Sequence, residues 1–264
     1  MSTLRLRLRS LFMALGILGF GNAAPAAAPP PPLAIAAAAD LQFALAEVRT
    51  AFMAAHPGQE VAITYGSSGN FYTQLTNKAP FDLFLSADLA YPKKLVEAGL
   101  ADSSTEFRYS RGRLVLWVPK GSPIPVEQGL SALLHPAARK VAIANPRHAP
   151  YGRAAEAALA KLGLLEAVRP RLVFGENIAQ TAQFVQTGAA DIGLLALSLA
   201  KAPAMTATGR LWELPLEAYP ALDQGGVIPN HARNRAAALA FREFMRSTEG
   251  KTILRTYGFT TDAP

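Results

Sequence analysis

The sequence predicts an α/β protein of two lobes with a ligand cleft between them. From Leu33 onward, short apolar runs typical of β-strands alternate with segments of helical periodicity, which is the pattern of largely parallel sheets flanked by helices. The chain has 264 residues, of which 50% are hydrophobic, enough for two medium-sized cores. If the chain crosses between lobes near residues 112 and 222, each lobe has about 110 residues. Two lobes joined by two crossings form a hinge.

The first lobe begins with a strand that leads directly into a helix. The segment from Leu33 to Ala39 is an uninterrupted apolar run, as expected for a buried strand. The apolar residues that follow recur at the spacing of an amphipathic helix: Leu41, Leu45, Val48 and Phe52. The strand therefore meets the helix at Asp40.

The same transition from strand to helix occurs at three further places. The predicted strands are 61–65, 141–144 and 171–174; the helices after them carry Phe71 and Leu75, span 153–162 and span 178–187. The turns between them are rich in Gly, Ser and Asn: 66–70, 145–152 and 175–177. The first N–H groups of a helix lack intrahelical partners and lie at the positive end of its dipole, so such ends bind anions. Open α/β sheets also bind ligands at this edge.

Two further segments are predicted to connect the lobes, namely 113–119 and the stretch from Leu211 through Tyr219 to Ile228. The C-terminal segment 232–257 is predicted to form one or two helices with apolar positions at Ala238, Phe241, Met245 and Ile253. The predicted domains are lobe I, residues 33–112 with 223–264, and lobe II, residues 113–222.

The N-terminus has the features of a secretory signal peptide. Three arginines, Arg5, Arg7 and Arg9, precede an uncharged run from Leu11 to Phe20 and then small residues. The apolar run is shorter than the about 20 residues that span a membrane. Residues 1–28 are therefore assigned to the signal peptide and the start of a proline-rich spacer, and the mature protein is expected in the periplasm, without insertion into the membrane.

Composition excludes several classes of function. The chain has no cysteine, which excludes disulfides, thiolate metal sites and a cysteine nucleophile. The net charge of +7 falls to +4 without Arg5, Arg7 and Arg9, because 23 basic residues then face 19 acidic ones. No basic patch with interleaved aromatic residues is present, so a nucleic-acid partner is not expected.

Six segments, in this order and spacing, resemble periplasmic molybdate-binding proteins of ABC importers. They are Ala-Ala-Ala-Ala-Asp-Leu (36–41), Gly-Ser-Ser-Gly (66–69), Ala-Pro-Phe-Asp-Leu-Phe-Leu-Ser-Ala-Asp (79–88), Gly-Arg-Leu-Val-Leu-Trp (112–117), Asn145-Pro146 to Pro150-Tyr151-Gly152, and Gly-Ala-Ala-Asp-Ile-Gly (188–193). The resemblance covers residues 33–260. It implies a type II periplasmic binding protein fold, a tetrahedral oxyanion as ligand (molybdate or tungstate), an inner-membrane ABC permease as partner, and a monomer that is neither an enzyme nor dependent on a cofactor.

The resemblance also implies which residues contact the oxyanion. Ala39 and Ile178 are expected to contribute backbone N–H groups only, while Ser68 adds a hydroxyl and Tyr151 a phenol. Asp40 is the fifth position. The alternatives are that Tyr151 is a surface aromatic residue and that Ile178 belongs to the core.

Asp40 is an unexpected residue at an anion site, because an ionised carboxylate only accepts hydrogen bonds and repels a dianion. It could be an N-cap whose carboxylate turns back to the first helical turn. It could instead be protonated and donate to the ligand, or accept a proton from hydrogen phosphate or arsenate. In the last case Asp40 would be a selectivity residue.

Two other functions fit the sequence less well. A secreted hydrolase would use Ser67 or Ser68 as its nucleophile, but the four histidines (His56, His135, His148 and His231) are each isolated in the sequence, and the loop lacks the spacing of a nucleophile elbow. His148 lies three residues before Tyr151 and could line the rim of the site, although a solvated loop position is expected. A free cation site is not expected, because Asp82 and Asp88 fit capping or packing roles and no ligand set has metal-binding spacing.

Overall fold

A computed structural model describes residues 31–261, which form two five-stranded sheets with helices packed on them. The predicted signal peptide lies outside the described residues. The strands are β1 (Leu33–Ala38), β2 (Val61–Gly66), β3 (Leu83–Ser86), β4 (Phe107–Gly112), β5 (Leu114–Pro119), β6 (Val141–Ala144), β7 (Leu172–Gly175), β8 (Ile192–Ala196), β9 (Gly209–Glu213) and β10 (Leu222–Val227).

The α-helices are α1 (Gln42–Ala55), α2 (Ser68–Thr76), α3 (Ala90–Glu97), α4 (Pro150–Lys161), α5 (Leu165–Val168), α6 (Ile178–Gln186), α7 (Leu197–Ala200), α8 (Pro203–Thr208), α9 (Arg235–Arg246) and α10 (Thr248–Thr256). Within residues 31–261, none of these helices has the length and apolar character needed to cross a membrane.

The first sheet, which we call the sheet of lobe I, has the strand order β2-β1-β3-β10-β4. Strand β1 pairs in parallel with β2 and β3, whereas β10 runs antiparallel to β3 and β4. Helix α1 buries Leu45, Val48 and Phe52, as its periodicity predicts. The Phe52 ring lies 4.9 Å from the ring of Phe241 in α9, which brings the C-terminal helices onto this sheet.

The second sheet, that of lobe II, has the order β7-β6-β8-β5-β9 and the same arrangement of directions. Strand β6 pairs in parallel with β7 and β8, and β5 runs antiparallel to β8 and β9. The two-lobed α/β architecture with largely parallel sheets is therefore confirmed. In each sheet the antiparallel strand is the one that enters from the other lobe.

The two crossings differ in length. Arg113 alone separates β4 from β5, whereas residues 214–221 connect β9 to β10. The stretch from Leu211 to Ile228 was predicted as one strand-like connection, and this prediction is wrong. It forms two strands in different sheets, separated by a short 3₁₀ turn that follows Pro215. Proline lacks the N–H needed for a continuous strand ladder, so Pro215 and Pro220 interrupt the pairing.

Two boundaries near the cleft also differ from the predicted ones. Strand β1 ends at Ala38, because Ala39 already begins a 3₁₀ turn that leads into α1. Helix α4 starts at Pro150 rather than at Arg153. Proline is favoured at the first position of a helix, where its missing N–H costs nothing.

Candidate ligand-binding site

A small cavity lies between the two lobes, where several helices begin. The five residues predicted to form the site all line it: Ala39, Asp40, Ser68, Tyr151 and Ile178. The remaining lining residues are Ala38, Gly66, Ser67, Ala87, Ala149 and Pro150. The structure thus brings together segments that are up to about 140 residues apart in the sequence.

At the helix starts around this cavity, no capping side chain uses the N–H groups of the predicted site residues. Ala38 and Ala149 occupy the N-cap positions before the Ala39 turn and before α4, and an alanine side chain cannot accept a hydrogen bond. Asn177 does cap α6, but its Oδ1 accepts from Ala179 and Gln180 and leaves the N–H of Ile178 unused by the cap. These N–H groups lie at the positive ends of the helices.

Ser68 is oriented by a hydrogen bond on its far side. It is fully buried, and its Oγ accepts a hydrogen bond of 3.0 Å from the backbone N–H of Ala87. Since this bond uses a lone pair, the hydroxyl hydrogen remains available as a donor. Ala87 also lines the cavity, but it has no side-chain chemistry by which the sequence could identify it.

Asp40 lies in the wall of the cavity as a buried carboxyl group with unequal oxygens. Its Oδ2 accepts hydrogen bonds from Gln224 Nε2 at 2.6 Å and from the Tyr151 hydroxyl at 3.1 Å. Its Oδ1 is buried and has no hydrogen-bond partner among residues 31–261. Asp40 is not the N-cap residue itself, because Ala38 holds that position, and its carboxyl group bonds to side chains of two other elements. The N–H groups of Asp40 and Leu41 in the first turn still lie near enough to the carboxyl group to lower its pKa.

Burial raises the pKa of Asp40 from 3.8 to about 6. The hydrogen bonds from Gln224 and Tyr151 lower it, as do the nearby N–H groups of Asp40 and Leu41, but by less than burial raises it. Desolvation dominates because the charged form loses its water and gains no cation in exchange. Near neutral pH both protonation states of this carboxyl are therefore energetically accessible.

The phenol of Tyr151 is buried and hydrogen-bonded to Asp40. The residue is only 1% exposed, so the alternative of a surface aromatic residue is wrong. Its hydroxyl has a single hydrogen, which is donated to Asp40 across the cleft. Burial raises the pKa of Tyr151 well above its usual value, so the phenol keeps this hydrogen. Its backbone N–H in the first turn of α4 is what remains to face a ligand.

Ile178 combines the two roles that were considered for it. Its side chain is buried in the apolar core of lobe II, while its backbone lines the cavity at the first position of α6. Gln224 was missed by sequence reasoning. It is fully buried in β10, and no feature of the surrounding sequence distinguishes it from a solvent-facing residue of an edge strand.

A set of polar contacts beside the cavity joins the lobes. His148 Nδ1 lies 3.0 Å from Ser67 Oγ, and the His148 carbonyl accepts from the N–H of Gly69 at 2.9 Å. Asn70 donates to Glu176 at 2.6 Å. We call these five residues the cross-lobe clamp. The prediction of a solvated His148 is wrong, whereas the alternative of a position at the rim of the site agrees with its contact to Ser67 beside the cavity.

A serine, a histidine and a carboxylate are neighbours here, as in a catalytic triad: Ser67, His148 and Glu176. Their geometry does not support a triad. The Glu176 carboxylate is 3.6 Å from His148 Nε2, beyond hydrogen-bond distance, and its side chain is 59% exposed. In a triad the acid is buried and hydrogen-bonded to the histidine. These groups therefore hold the lobes together rather than activate a nucleophile.

The two aspartates weighed as cation ligands are used within the fold. Asp82 accepts hydrogen bonds from the backbone N–H groups of Ala34, Arg233 and Asn234. Asp88 pairs with Arg153 of lobe II at 2.6 Å. Within the part of the chain that the structure describes, no group of three or more His, Asp or Glu side chains could hold a metal ion.

Comparisons with known proteins identify the family and the fold of this chain. The model of a family described as bacterial extracellular solute-binding protein matches residues 33–260. The molybdate-binding protein ModA of Rhodobacter capsulatus is 40% identical over 205 residues, which are 78% of this chain and 79% of that protein. ModA of Azotobacter vinelandii is 38% identical over 202 residues, or 76% and 79% of the two chains.

The solved structure of the Azotobacter vinelandii periplasmic molybdate-binding protein superposes with a TM-score of 0.82 at 32% identity, covering 88% of this chain and 99% of that one. The resemblance inferred from the six sequence segments is thereby confirmed over nearly all of the described residues. With the fold, the cleft and the sequence relatives in agreement, this chain belongs to the family of bacterial extracellular solute-binding proteins.

Proposed function

We propose that this protein is a periplasmic receptor that captures molybdate, and also tungstate, and delivers it to the permease of an ABC importer. The observation that carries this proposal is the convergence of uncapped helix starts on one buried cavity. A hydrated dianion gives up its water only where many preorganised donors replace it. The relatives named as molybdate-binding proteins identify the anion class.

Each predicted residue has a role in this proposal. Ala39, Tyr151 and Ile178 donate backbone N–H groups from helix starts, and Ser68 adds its hydroxyl to its N–H. No cation is needed, because helix ends and neutral donors stabilise the anion. Asp40 is the one acidic member of the lining.

Capture involves closure of one lobe on the other. In this proposal residues 33–112 with 223–264 move as one lobe and residues 113–222 as the other, with the hinge at the two crossings. Closure buries the ion and forms the surface that the permease recognises. The receptor acts as a monomer, uses no cofactor and catalyses no reaction.

Calorimetry and thermal unfolding of the dialysed mature protein test the proposal. Molybdate and tungstate at about 100 times their Kd should add about 2.7 kcal/mol to the free energy of unfolding. At this size the gain corresponds to a rise in Tm of roughly 5 to 11 °C. Sulfate is the matched control, because it has the same charge and tetrahedral shape with shorter bonds.

The other outcomes are equally informative. A rise in Tm with phosphate or arsenate alone would replace molybdate by a protonated oxyanion and make Asp40 the selectivity residue. If none of these anions changes Tm or produces heat of binding, the proposed function is wrong.

A further inference from the structure

The Asp40 carboxyl presents its two oxygens to different surroundings. Oδ2 accepts from Gln224 and from Tyr151, so its lone pairs are used by two donors. Oδ1 has no partner within residues 31–261, although the carboxyl group is 1% exposed and lines the cavity. A buried polar atom without a partner is costly, unless a ligand supplies the missing contact.

Gln224 makes the two carboxyl oxygens of Asp40 different, because it donates to Oδ2 only. It is fully buried in β10, its Oε1 lies 3.4 Å from Ser110 Oγ, and its Nε2 lies 2.6 Å from Asp40 Oδ2. In this orientation the amide oxygen accepts from the Ser110 hydroxyl, and the NH₂ group donates to Asp40. Both neighbours of Oδ2 are donors, so a proton on this carboxyl belongs on Oδ1.

Among residues 31–261, no cationic side chain is one of the groups that act on the Asp40 carboxyl. The titratable groups that act on it are Tyr109 and Tyr151, and burial raises the pKa of both well above the usual value, so they stay neutral. Of the helices packed against the Asp40 turn, α6 and α7 carry no titratable side chain. Those of α1, Glu47 and Arg49, are exposed.

Tyr109, Gln224 and Tyr151 lie on β4, β10 and α4. The charged side chains on these three elements contact groups other than Asp40. On β4 and β10, Arg108 and Arg111 pair with Asp223, and on α4, Arg153 pairs with Asp88. Glu156 and Lys161 lie further along α4. An ionised Asp40 would therefore face a bound dianion across the cavity without compensation, and two like charges in a buried site strongly disfavour one another.

We propose that Asp40 binds the oxyanion as a neutral carboxylic acid that donates from Oδ1, so that capture of the anion takes up one proton. Gln224 is the positioning residue that keeps Oδ2 as the acceptor and directs Oδ1 to the ligand. This inference rests on the proposed function, because it requires an anion in the cavity. The proton comes from solvent, and no bond within the anion is made or broken.

The raised pKa of Asp40, about 6, sets where this coupling becomes visible. Below that pH the free protein already holds the proton, and affinity is independent of pH. Above it each binding event must first protonate Asp40. The Kd for molybdate then rises toward tenfold per pH unit, the dependence expected for uptake of one proton.

The experiment is calorimetric titration with sodium molybdate between pH 5 and pH 8.5, in pairs of buffers with different heats of ionisation. In the wild-type protein, the buffer dependence should give about one proton taken up per anion at pH 8 and about none at pH 5. Asp40→Asn keeps the shape of the side chain and places a permanent NH₂ donor at Oδ1. This variant should take up no proton, and at pH 8 it should bind molybdate at least tenfold more tightly than the wild type.

Gln224→Met tests the positioning role. Loss of the bond from Gln224, which lowers the pKa of Asp40, should move the onset of the pH dependence to higher pH. A merely structural role would weaken binding equally at every pH. Because histidines also change charge between pH 5 and 8, His148→Gln is the matched control. It should retain the wild-type proton uptake, whatever its affinity.

Proton uptake that is zero in the wild type at pH 8, or the same in Asp40→Asn as in the wild type, would overturn the inference while molybdate binding stands. Proton uptake that is lost in His148→Gln would reassign it to the cross-lobe clamp. If molybdate does not bind at any pH, the proposed function itself fails, and this inference fails with it.

Discussion

The hydroxyl of Tyr151 in lobe II donates a hydrogen bond of 3.1 Å to Oδ2 of Asp40 in lobe I. This bond joins two of the predicted site residues directly to each other, across the cleft in which the ligand is proposed to sit. Asp40 is also held by Ser198 of lobe II, whose Oγ donates to the Asp40 carbonyl at 2.7 Å. The turn that begins α1 is thus fixed from both lobes.

At pH 5, where Asp40 is already protonated, Tyr151→Phe should weaken molybdate binding through Asp40 rather than through a lost contact to the anion. The variant removes one of the two donors that hold Oδ2 and orient the neutral carboxyl group, a bond worth about 0.5–1.5 kcal/mol. In the Asp40→Asn background the same change should therefore have a clearly smaller effect on Kd, which a double-mutant cycle measures. Equal effects in the two backgrounds would show that the phenol contacts the anion directly.

Ile178→Pro should abolish one hydrogen bond to the anion and leave helix α6 intact. Proline is well tolerated at the first helical position, and the preceding residue, Asn177, has the extended conformation that proline requires (φ −146°, ψ 176°). Loss of one charge-assisted hydrogen bond should raise the Kd for molybdate about 10- to 100-fold.

Ile178→Ala is the control, because it removes buried hydrocarbon and keeps the N–H. Calorimetry should place its Kd within a few-fold of the wild type, although its Tm falls. If both variants lose affinity equally, Ile178 acts through core packing and the assignment of its N–H is wrong.

Much of the fold could be predicted from the sequence, because the strand-to-helix transitions are local signals. The apolar run at Leu33 and the spacing of Leu45, Val48 and Phe52 depend on near neighbours only, and the structure confirms them. The predicted parallel pairing also follows from the alternation of strands and helices. By contrast, the division of residues 211–228 between two sheets depends on which strand pairs with which, and periodicity does not encode this.

The site was predictable as a set of backbone positions but not as a set of side-chain contacts. Ala39, Ser68 and Ile178 are defined by their place at helix starts, which the turn residues reveal. The partners of Asp40 are Tyr151 and Gln224, 111 and 184 residues away in the sequence. A buried glutamine in a strand has no local signature, so its effect on Asp40 emerges only from the tertiary structure.

Gly112→Ala, at the crossing between the lobes, should displace the side chains that hold Asp40 in the site. A Cβ at Gly112, the last residue of β4, would lie 2.2 Å from the Tyr151 hydroxyl and 2.6 Å from Gln224 Nε2. Both side chains are buried and cannot withdraw, so overpacking should cost about 1–3 kcal/mol of unfolding free energy. We also expect at least a tenfold rise in the Kd for molybdate, since both partners of Asp40 are displaced.

Gly121→Ala is the matched control for this variant, because a Cβ at Gly121 meets no atom within 4 Å. Thermal unfolding and calorimetry should show it close to the wild type. An unchanged Kd in Gly112→Ala would mean that the contacts among Tyr151, Gln224 and Asp40 do not affect the ligand.

Asn70→Ala should speed the release of molybdate without changing the rate of its capture. Asn70 in lobe I donates to Glu176 in lobe II at 2.6 Å, so opening of the cleft in the proposed function would break this contact. Its loss destabilises the closed state by about 1 kcal/mol, which corresponds to a several-fold faster dissociation.

Asn77→Ala is the control, because Asn77 lies at the end of the same helix and its side chain bonds only locally, to Thr73. Stopped-flow fluorescence measures both rates, and a change confined to the association rate would contradict the role of the clamp.

Asp40 should make the unliganded protein less stable as the pH rises through the range of its titration. Its pKa is raised on folding, from 3.8 to about 6, so the folded state holds more protons than the unfolded state between these values. The free energy of unfolding therefore decreases from pH 4 to above pH 6, by about 3 kcal/mol for a shift of this size. Asp40→Asn carries no titrating group at this position and should lack this component, while all other carboxyl groups contribute equally to both proteins.

Urea unfolding of the two proteins from pH 4 to pH 8 measures the difference in their free energies of unfolding, which should move by about 3 kcal/mol in favour of Asp40→Asn. A difference that is constant with pH would mean that Asp40 is hydrated or compensated, and a change of opposite sign would mean that its pKa is lowered by folding.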